Sequence, residues 1–369
     1  MAQTTIDAEA LRDLLDRGQP ITVLDIRRKG ERAEWAIPGS VHVDAYDALK
    51  SNNPNALADV DLPREAPVVT VCGAGKTSAI AAQQLRARGL QALSLAGGMK
   101  AWSLAWNTAE VPVPEAEARI LQVRRTGKGC LSYVVGSGGE AAVIDAALEP
   151  EIYLDLADSH GLKIHHVLDT HVHADHLSRS QKLAESSGAT LHLPEGAPVS
   201  YPFSALREGD ELRIGAAKLE ALHTPGHTRE SMSYLLDDRA IFTGDTLFLA
   251  SVGRPDLEAS AEEAERRART LYGSLRRLLA LSSQTLVLPG HTSEPVAFDE
   301  VPVAATLAEV REWVGLLRET EDAFVETLLK HTSPTPPNHK RIVELNKVGE
   351  LPEGDPIELE AGANRCASA

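Results

Sequence analysis

The chain is poor in cysteine. Cys72, Cys130 and Cys366 are spread over 369 residues with no CxxC pair. An odd, sparse set of this kind excludes a disulfide framework and suits a reducing compartment. Positive charge is also in deficit, with 37 Lys and Arg against 53 Asp and Glu and a net charge of -16. Such a surface repels phosphate backbones and argues against nucleic acid or an anionic membrane as partner. No apolar run approaches membrane-spanning length. The opening MAQTTIDAEALRDLLDRG lacks the basic start and apolar core of a secretory signal, so the expected location is cytoplasmic. Small anionic substrates fit this charge balance if a metal or an arginine supplies local positive field.

What is present is an ordinary globular composition, 43% hydrophobic and 24% charged. The length favours two or three domains. Over the first hundred residues strand and helix signals alternate. AEALRDLLDRG reads as a helix after Asp7, with Leu11, Leu14 and Leu15 at helical spacing. ITVLDI and VVTVC read as buried strands, TSAIAAQQLRARG as a helix closed by Gly89, and LQALSL as a further strand. This interleaving predicts a mostly parallel sheet covered on both faces. Trp102 and Trp106, four apart, read as packing against the edge of this unit.

TAEVPVPEAEA, residues 108–118, breaks the pattern with two closely spaced prolines and predicts an extended spacer. The expected organisation is a first domain at 1–107, a linker at 108–118 and a second domain at 119–369. The second begins with short strands joined by turns such as GSGGE. A helix near 149–160, the strand IHHVLD, several further strands and a charged helix, AEEAERRARTLYGSLRRLLA, follow. The last seventy residues read as helical and then irregular.

The strongest chemical signal is THVHADH, which packs His171, His173, Asp175 and His176 into six residues after a strand. Alternation along the chain predicts that His171 and His173 face one ion, while Asp175 and His176 turn to a neighbouring position. Further ligand types fall at later strand ends: His227 in HTPGHT, Asp245 in FTGDT and His291 in LPGHT. Imidazoles and carboxylates suit zinc, iron or manganese.

In that order these motifs resemble the metallo-β-lactamase-fold superfamily, over most of residues 119–291. The resemblance implies an αββα sandwich with the metal at one edge of the paired sheets, and leaves the reaction open. GDTLFLASVGRPD at 244–256 and EAGANRCA at 360–367 further resemble the persulfide dioxygenase family. That likeness implies one Fe(II) per chain held by His171, His227 and Asp245. His173, Asp175, His176 and His291 would then hydrogen-bond the ligands or bound water. It implies glutathione persulfide and O2 as substrates, with Arg229 and Asn364 as candidates for holding the carrier's carboxylates. Arg254 is expected to brace the site loop. The rival is a dinuclear zinc thioester hydrolase of the glyoxalase II kind, for which His173, Asp175, His176 and His291 would supply a second metal. The N-terminal domain would then only bind or sense.

VVTVCGAGKTSA at 68–79 admits two readings. A nucleotide phosphate loop needs a glycine five positions before Gly75, but Thr70 stands there. The thiolate reading fits better: Cys72 ends a strand, and Gly73, Ala74, Gly75, Lys76, Thr77 and Ser78 lead into a helix, forming a candidate anion cradle. With LDIR, AIPGSVHV and LAGGMKAW, this loop resembles the rhodanese (sulfurtransferase) family over residues 5–106. Many members carry arginine where Thr77 sits, so Lys76 and backbone amides must supply the positive field. Cys130 and Cys366 have no such loop and are expected to be structural or incidental. The combined expectation is an α/β fusion enzyme that moves sulfane sulfur from thiosulfate through a Cys72 persulfide and oxidises glutathione persulfide to sulfite. A homodimer is compatible with it.

Overall fold

The computed structural model describes residues 3–114, 116–257, 259–330, 335, 338–362 and 365–367. Asn364 lies outside the described residues. No described helix is long and apolar enough to cross a membrane.

The N-terminal unit is built on a five-stranded parallel sheet. Its order is Thr5–Ile6, Ala92–Leu95, Val68–Val71, Thr22–Asp25, Val41–His42. The central strand Val68–Val71 is buried throughout, as a strand covered on both faces must be. The first helix, Ala8–Asp16, starts where its signals place it, because the Asp7 carboxylate accepts from Ala10 N–H at 2.7 Å. Separate apolar clusters around Leu24, Ala81 and Leu85, and around Leu11, Val69 and Trp102, fill the two faces.

The second unit has two facing sheets. One runs Ser204–Leu206, Thr190–Pro194, Lys163–Leu168, Glu140–Ile144, Cys130–Ser137, Arg119–Arg125, Asn107–Val111. The other runs Glu211–Ile214, Ala217–His223, Met232–Leu236, Ala240–Gly244, Leu286–Pro289, Ala305–Thr306. Tyr133, Ile144 and Leu168 from the first meet Leu219, Tyr234 and Phe242 from the second in one buried core. Helices Pro150–Ser159 and Ser180–Ser187 cover one outer face, and Ala261–Leu278 covers the other. The result is the expected helix–sheet–sheet–helix sandwich.

Two differences from the sequence reading stand out. The first four residues of the stretch expected to be a spacer, 108–111, belong instead to the strand Asn107–Val111, which pairs antiparallel with Arg119–Arg125 as the sheet's outer strand. Pro112 falls just beyond it, and an edge strand tolerates proline where a central strand does not. The C-terminal region is also more helical than expected, with Leu307–Trp313, Glu321–Lys330, His339–Val348 and the short Ile357–Glu360.

The two units share a built interface. Trp35 is buried and donates Nε1–H to Thr126 O at 3.0 Å. Phe298 packs against Trp102 with ring centroids 6.2 Å apart. A Cβ on Gly127 would stand 1.9 Å from Trp102 O, so only glycine allows this approach.

Candidate metal centre and cysteine loop

Strand ends bring His171, His227 and Asp245 together. His171 follows Lys163–Leu168, Asp245 follows Ala240–Gly244, and His227 sits on the loop after Ala217–His223. All three are buried, and their ligand atoms lie within 4.8 Å of one another. His171 Nε2 and His227 Nε2 each stand 3.7 Å from Asp245 Oδ2. None of these three atoms has a hydrogen-bond partner among the described residues. Buried polar atoms left unpaired are costly, and one cation would satisfy all three. Metal–ligand arms of about 2.0–2.2 Å put neighbouring donor atoms roughly 3–3.5 Å apart, close to this spacing. The donor set fits a divalent cation.

The other nitrogen of each histidine fixes its orientation. Thr170 Oγ1 donates to Asp145, at 3.1 and 3.0 Å from its two oxygens, and so accepts from His171 Nδ1 at 2.9 Å. His227 Nδ1–H donates to Arg254 O at 2.9 Å. In both rings the proton is on Nδ1 and the Nε2 lone pair faces the triad. Gly244, at φ +48°, permits this packing, because a Cβ there would meet Thr170 Oγ1 at 2.4 Å. Burial pushes both His171 and His227 down, keeping them neutral. Burial would push Asp245 up, but His291 and then His171 hold it well below the usual carboxylate range. Neutral imidazoles and an ionised carboxylate are the states that bind metal.

His173 is not in this triad. It lies with Asp145 and Asp169, its Nε2 3.3 Å from Asp145 Oδ1. The expectation that His171 and His173 face one ion is therefore corrected: the residues after Leu168 form a loop and not a strand, so alternation does not apply. His291 donates Nδ1–H to Asp245 Oδ1 at 2.5 Å, and its Nε2 lies 3.0 Å from Asp175 Oδ2. Burial opposes a charge on His291, but the two carboxylates raise it strongly. His176 Nδ1 meets Asp175 Oδ1 at 3.0 Å.

Both cysteines expected to be merely structural reach this centre. Cys130 Sγ lies 3.4 Å from Asp175 Oδ2 and 3.8 Å from His176 Nδ1. Cys366, from the C-terminal tail, groups with Asp245 and His291. Burial and the carboxylates of Asp175 and Asp245 push its thiol well up. The tail enters by long-range pairing, Gly253 with Ala367 and Arg254 N–H to Cys366 O. The EAGANRCA likeness was the one sequence signal for it.

A cavity of about 350 Å³ adjoins the triad at His227. Val172 and Val343 give it apolar wall, and Arg229, Arg267 and Lys347 give it positive charge. Arg229 is exposed and paired with Glu263 at 2.7 Å. Arg254 is buried, forks onto Asp256 at 2.9 and 2.7 Å, and does not line this cavity.

In the N-terminal unit Cys72 follows the strand Val68–Val71, and the helix Lys76–Ala87 begins four residues later. Its Sγ receives Ser78 N–H at 3.3 Å and lies 3.3 Å from Ser78 Oγ. Gly75 turns the loop at φ +82°. The loop is clasped from behind by the helix Gly98–Trp102, with Met99 N–H donating to Cys72 O and Lys100 N–H to Gly73 O. Ala74 and Lys76 are exposed, Gly73 and Gly75 are partly covered, and Thr77 is buried.

Residues 7–105 match the rhodanese-like domain, and residues 125–291 match the metallo-beta-lactamase superfamily. A hydroxyacylglutathione hydrolase of Methylococcus capsulatus is 35% identical over 209 residues, 55% of this chain and 78% of that protein. The chain belongs to the metallo-beta-lactamase superfamily. A rhodanese-like domain precedes the superfamily domain. A second hydroxyacylglutathione hydrolase, from Rhodospirillum rubrum, is 37% identical over 42% of this chain and 57% of its own length. Among solved structures, ETHE1 from Myxococcus xanthus is 31% identical, covers 62% of this chain and 97% of that one, and superposes with a TM-score of 0.55. A metallo-beta-lactamase from Staphylococcus aureus gives a TM-score of 0.57 at 26% identity, over 63% of this chain and 73% of that one.

Proposed function

We propose that the superfamily domain is a non-haem Fe(II) persulfide dioxygenase and that the rhodanese-like domain is a thiosulfate sulfurtransferase acting through Cys72. One glutathione persulfide, one O2 and one water would give one glutathione, one sulfite and two protons. The observation that carries this reading is the isolation of the triad. His171 Nε2, His227 Nε2 and Asp245 Oδ2 converge without hydrogen-bond partners, while His173, whose ring nitrogens are also unpartnered, groups apart with Asp145 and Asp169. When bound, ferrous iron would supply the redox chemistry that joins dioxygen to the persulfide sulfur. His171, His227 and Asp245 would hold it. Thr170, the Arg254 carbonyl and His291 orient those three.

The cavity at His227 has apolar wall for a peptide body and cations for its carboxylates, led by Arg229 and Arg267. In the rhodanese-like domain, Cys72 thiolate would attack the outer sulfur of thiosulfate and release sulfite, leaving a persulfide in the loop. The glutathione-linked names of the hydrolase relatives agree with a glutathione derivative as carrier.

The same relatives favour a second reading, a dinuclear zinc thioester hydrolase, and Asp175, His176 and His291 lie together with Cys130. Oxygen-electrode assays with glutathione persulfide, run beside metal quantification on protein purified without added metal, separate the two. One iron per chain with oxygen uptake is expected. Two zincs with thioester hydrolysis and no oxygen uptake would end the dioxygenase reading.

A further inference from the structure

We propose that Arg229 is a movable arm of the cavity at His227 and that Glu263 competes for it, so that a carboxylate-bearing ligand binds by taking Arg229 from Glu263. Glu263 thereby sets the affinity of the cavity for anions. The inference rests on the reading of that cavity as the pocket of a carrier with carboxylates.

Three guanidinium groups converge on one carboxylate. Arg229 gives both Nε–H and Nη2–H to Glu263 Oε1, at 3.1 and 2.7 Å. Arg267 gives Nε–H to the same oxygen at 3.1 Å, and Arg266 pairs with Oε2. A guanidinium recognises a carboxylate best through two neighbouring N–H groups. On Arg229 the Nε–Nη2 edge is already engaged in this way, so a ligand carboxylate must compete with Glu263 for it.

The surroundings permit the exchange. A second cavity, of about 360 Å³, adjoins the one at His227. The two share Thr228, Arg229 and Arg267 as wall, and Glu263 lines only the second. Arg229 therefore stands between Glu263 and the cavity that opens on His227. Its side chain is 75% exposed against 13% for Glu263, so the arginine is the partner with room to move. Its backbone stays in place, because His223 Nε2–H donates to Arg229 O at 3.0 Å.

Glu263 is not stranded when Arg229 leaves. Arg266 and Arg267, three and four residues further along the helix Ala261–Leu278, keep its carboxylate paired. Ser260 Oγ accepts its N–H at 3.2 Å and holds the helix start independently of the side chain. An exposed ion pair shifts an equilibrium by a factor of roughly 5 or less, weak enough to be exchanged.

The test is calorimetric titration of the full-length protein with S-methylglutathione, which has both carboxylates but no sulfur to give up, and with its diethyl ester. Glu263→Gln keeps the shape of the competitor and removes its charge. The acid should bind this variant about 3–5-fold tighter than the wild type, whereas the ester should bind both equally. The gain should shrink in high salt, which screens exposed charges, and should vanish in an Arg229→Ala background. Unchanged affinity for the acid overturns the proposal. So does looser binding of acid and ester alike, which would make Glu263 a scaffold for the arginines. A gain that survives Arg229→Ala also overturns it, by assigning the effect to the general field of the surface. No binding of S-methylglutathione to either protein would end the carrier reading and this inference together, whereas binding that ignores Glu263 ends the inference alone. Failure of the dioxygenase reading shows separately, as absent oxygen uptake.

Discussion

His291 stands between two carboxylates, its Nδ1 2.5 Å from Asp245 Oδ1 and its Nε2 3.0 Å from Asp175 Oδ2. Asp245 thereby has one oxygen tied to His291 and presents the other, Oδ2, to His171 and His227. A carboxylate held this way is pre-oriented for one cation. Replacing His291 by alanine frees it to rotate and leaves a buried oxygen unpaired. Metal affinity should fall about 10–100-fold, as read by chelator competition. An unchanged affinity would mean that His291 does not orient the ligand.

His171 and His173 make a sharper comparison. They sit two apart in one loop, yet one faces Asp245 and the other Asp145 and Asp169. His171→Ala should abolish stoichiometric metal, whereas His173→Ala should keep it, with folding followed by circular dichroism. Loss of metal in both variants would point to a site that uses both histidines, as the hydrolase reading requires.

These two residues also mark what the sequence could reveal. The presence of a metal-ligand constellation was readable because His171, His227 and Asp245 each sit in a short motif at a strand end. The partner of His173 was not, since Asp145 comes from a different strand end, at φ +56°. The same holds for Cys366, brought to Asp245 from more than a hundred residues away by pairing with Gly253. The spacer was misread for a local reason. Residues 107–111 alternate between buried and less buried positions as an edge strand does, but the prolines that follow dominate the composition.

Gly98 tests the cysteine loop. At φ +58°, a Cβ there would stand 2.2 Å from Cys72 O and 2.7 Å from Gly75 N. Gly98→Ala must push the loop outward or unwind the helix behind it. Thiosulfate:cyanide sulfurtransferase activity should drop on the order of 10²-fold, the scale of an ångström-sized misplacement. Oxygen uptake with glutathione persulfide should persist. Equal loss of both would place the damage in folding.

Trp35 tests whether the two units melt together. Its ring meets the backbone around Gly129, and its Nε1–H reaches Thr126 O, both in the superfamily domain. Trp35→Ala should cost about 3–5 kcal/mol. Calorimetry should then resolve two transitions where the wild type shows one. A single transition at lower temperature would mean that the remaining contacts, Trp102 with Phe298 among them, suffice for cooperativity.

Glu360 carries a prediction in pH. It is fully buried, with Arg179 at 2.6 Å and Arg125 at 3.4 Å. Burial alone would raise its carboxyl, but Arg125 and Arg179 outweigh that and bring it down to about 2, from an ordinary 4.5. A carboxylate whose folded value is depressed stabilises the fold above its unfolded value. That contribution is lost as pH falls from 4.5 through about 2. Glu360→Gln removes the charge at every pH and leaves two buried guanidinium groups short of a partner, costing about 3–5 kcal/mol near neutrality. Melting temperatures of the two proteins should therefore differ most at neutral pH and converge on acidification, because the wild type alone has this stability to lose. A gap that stays constant down to the acid limit would show that Glu360 is not ionised in the folded chain. The tail would then be held by packing and neutral hydrogen bonds.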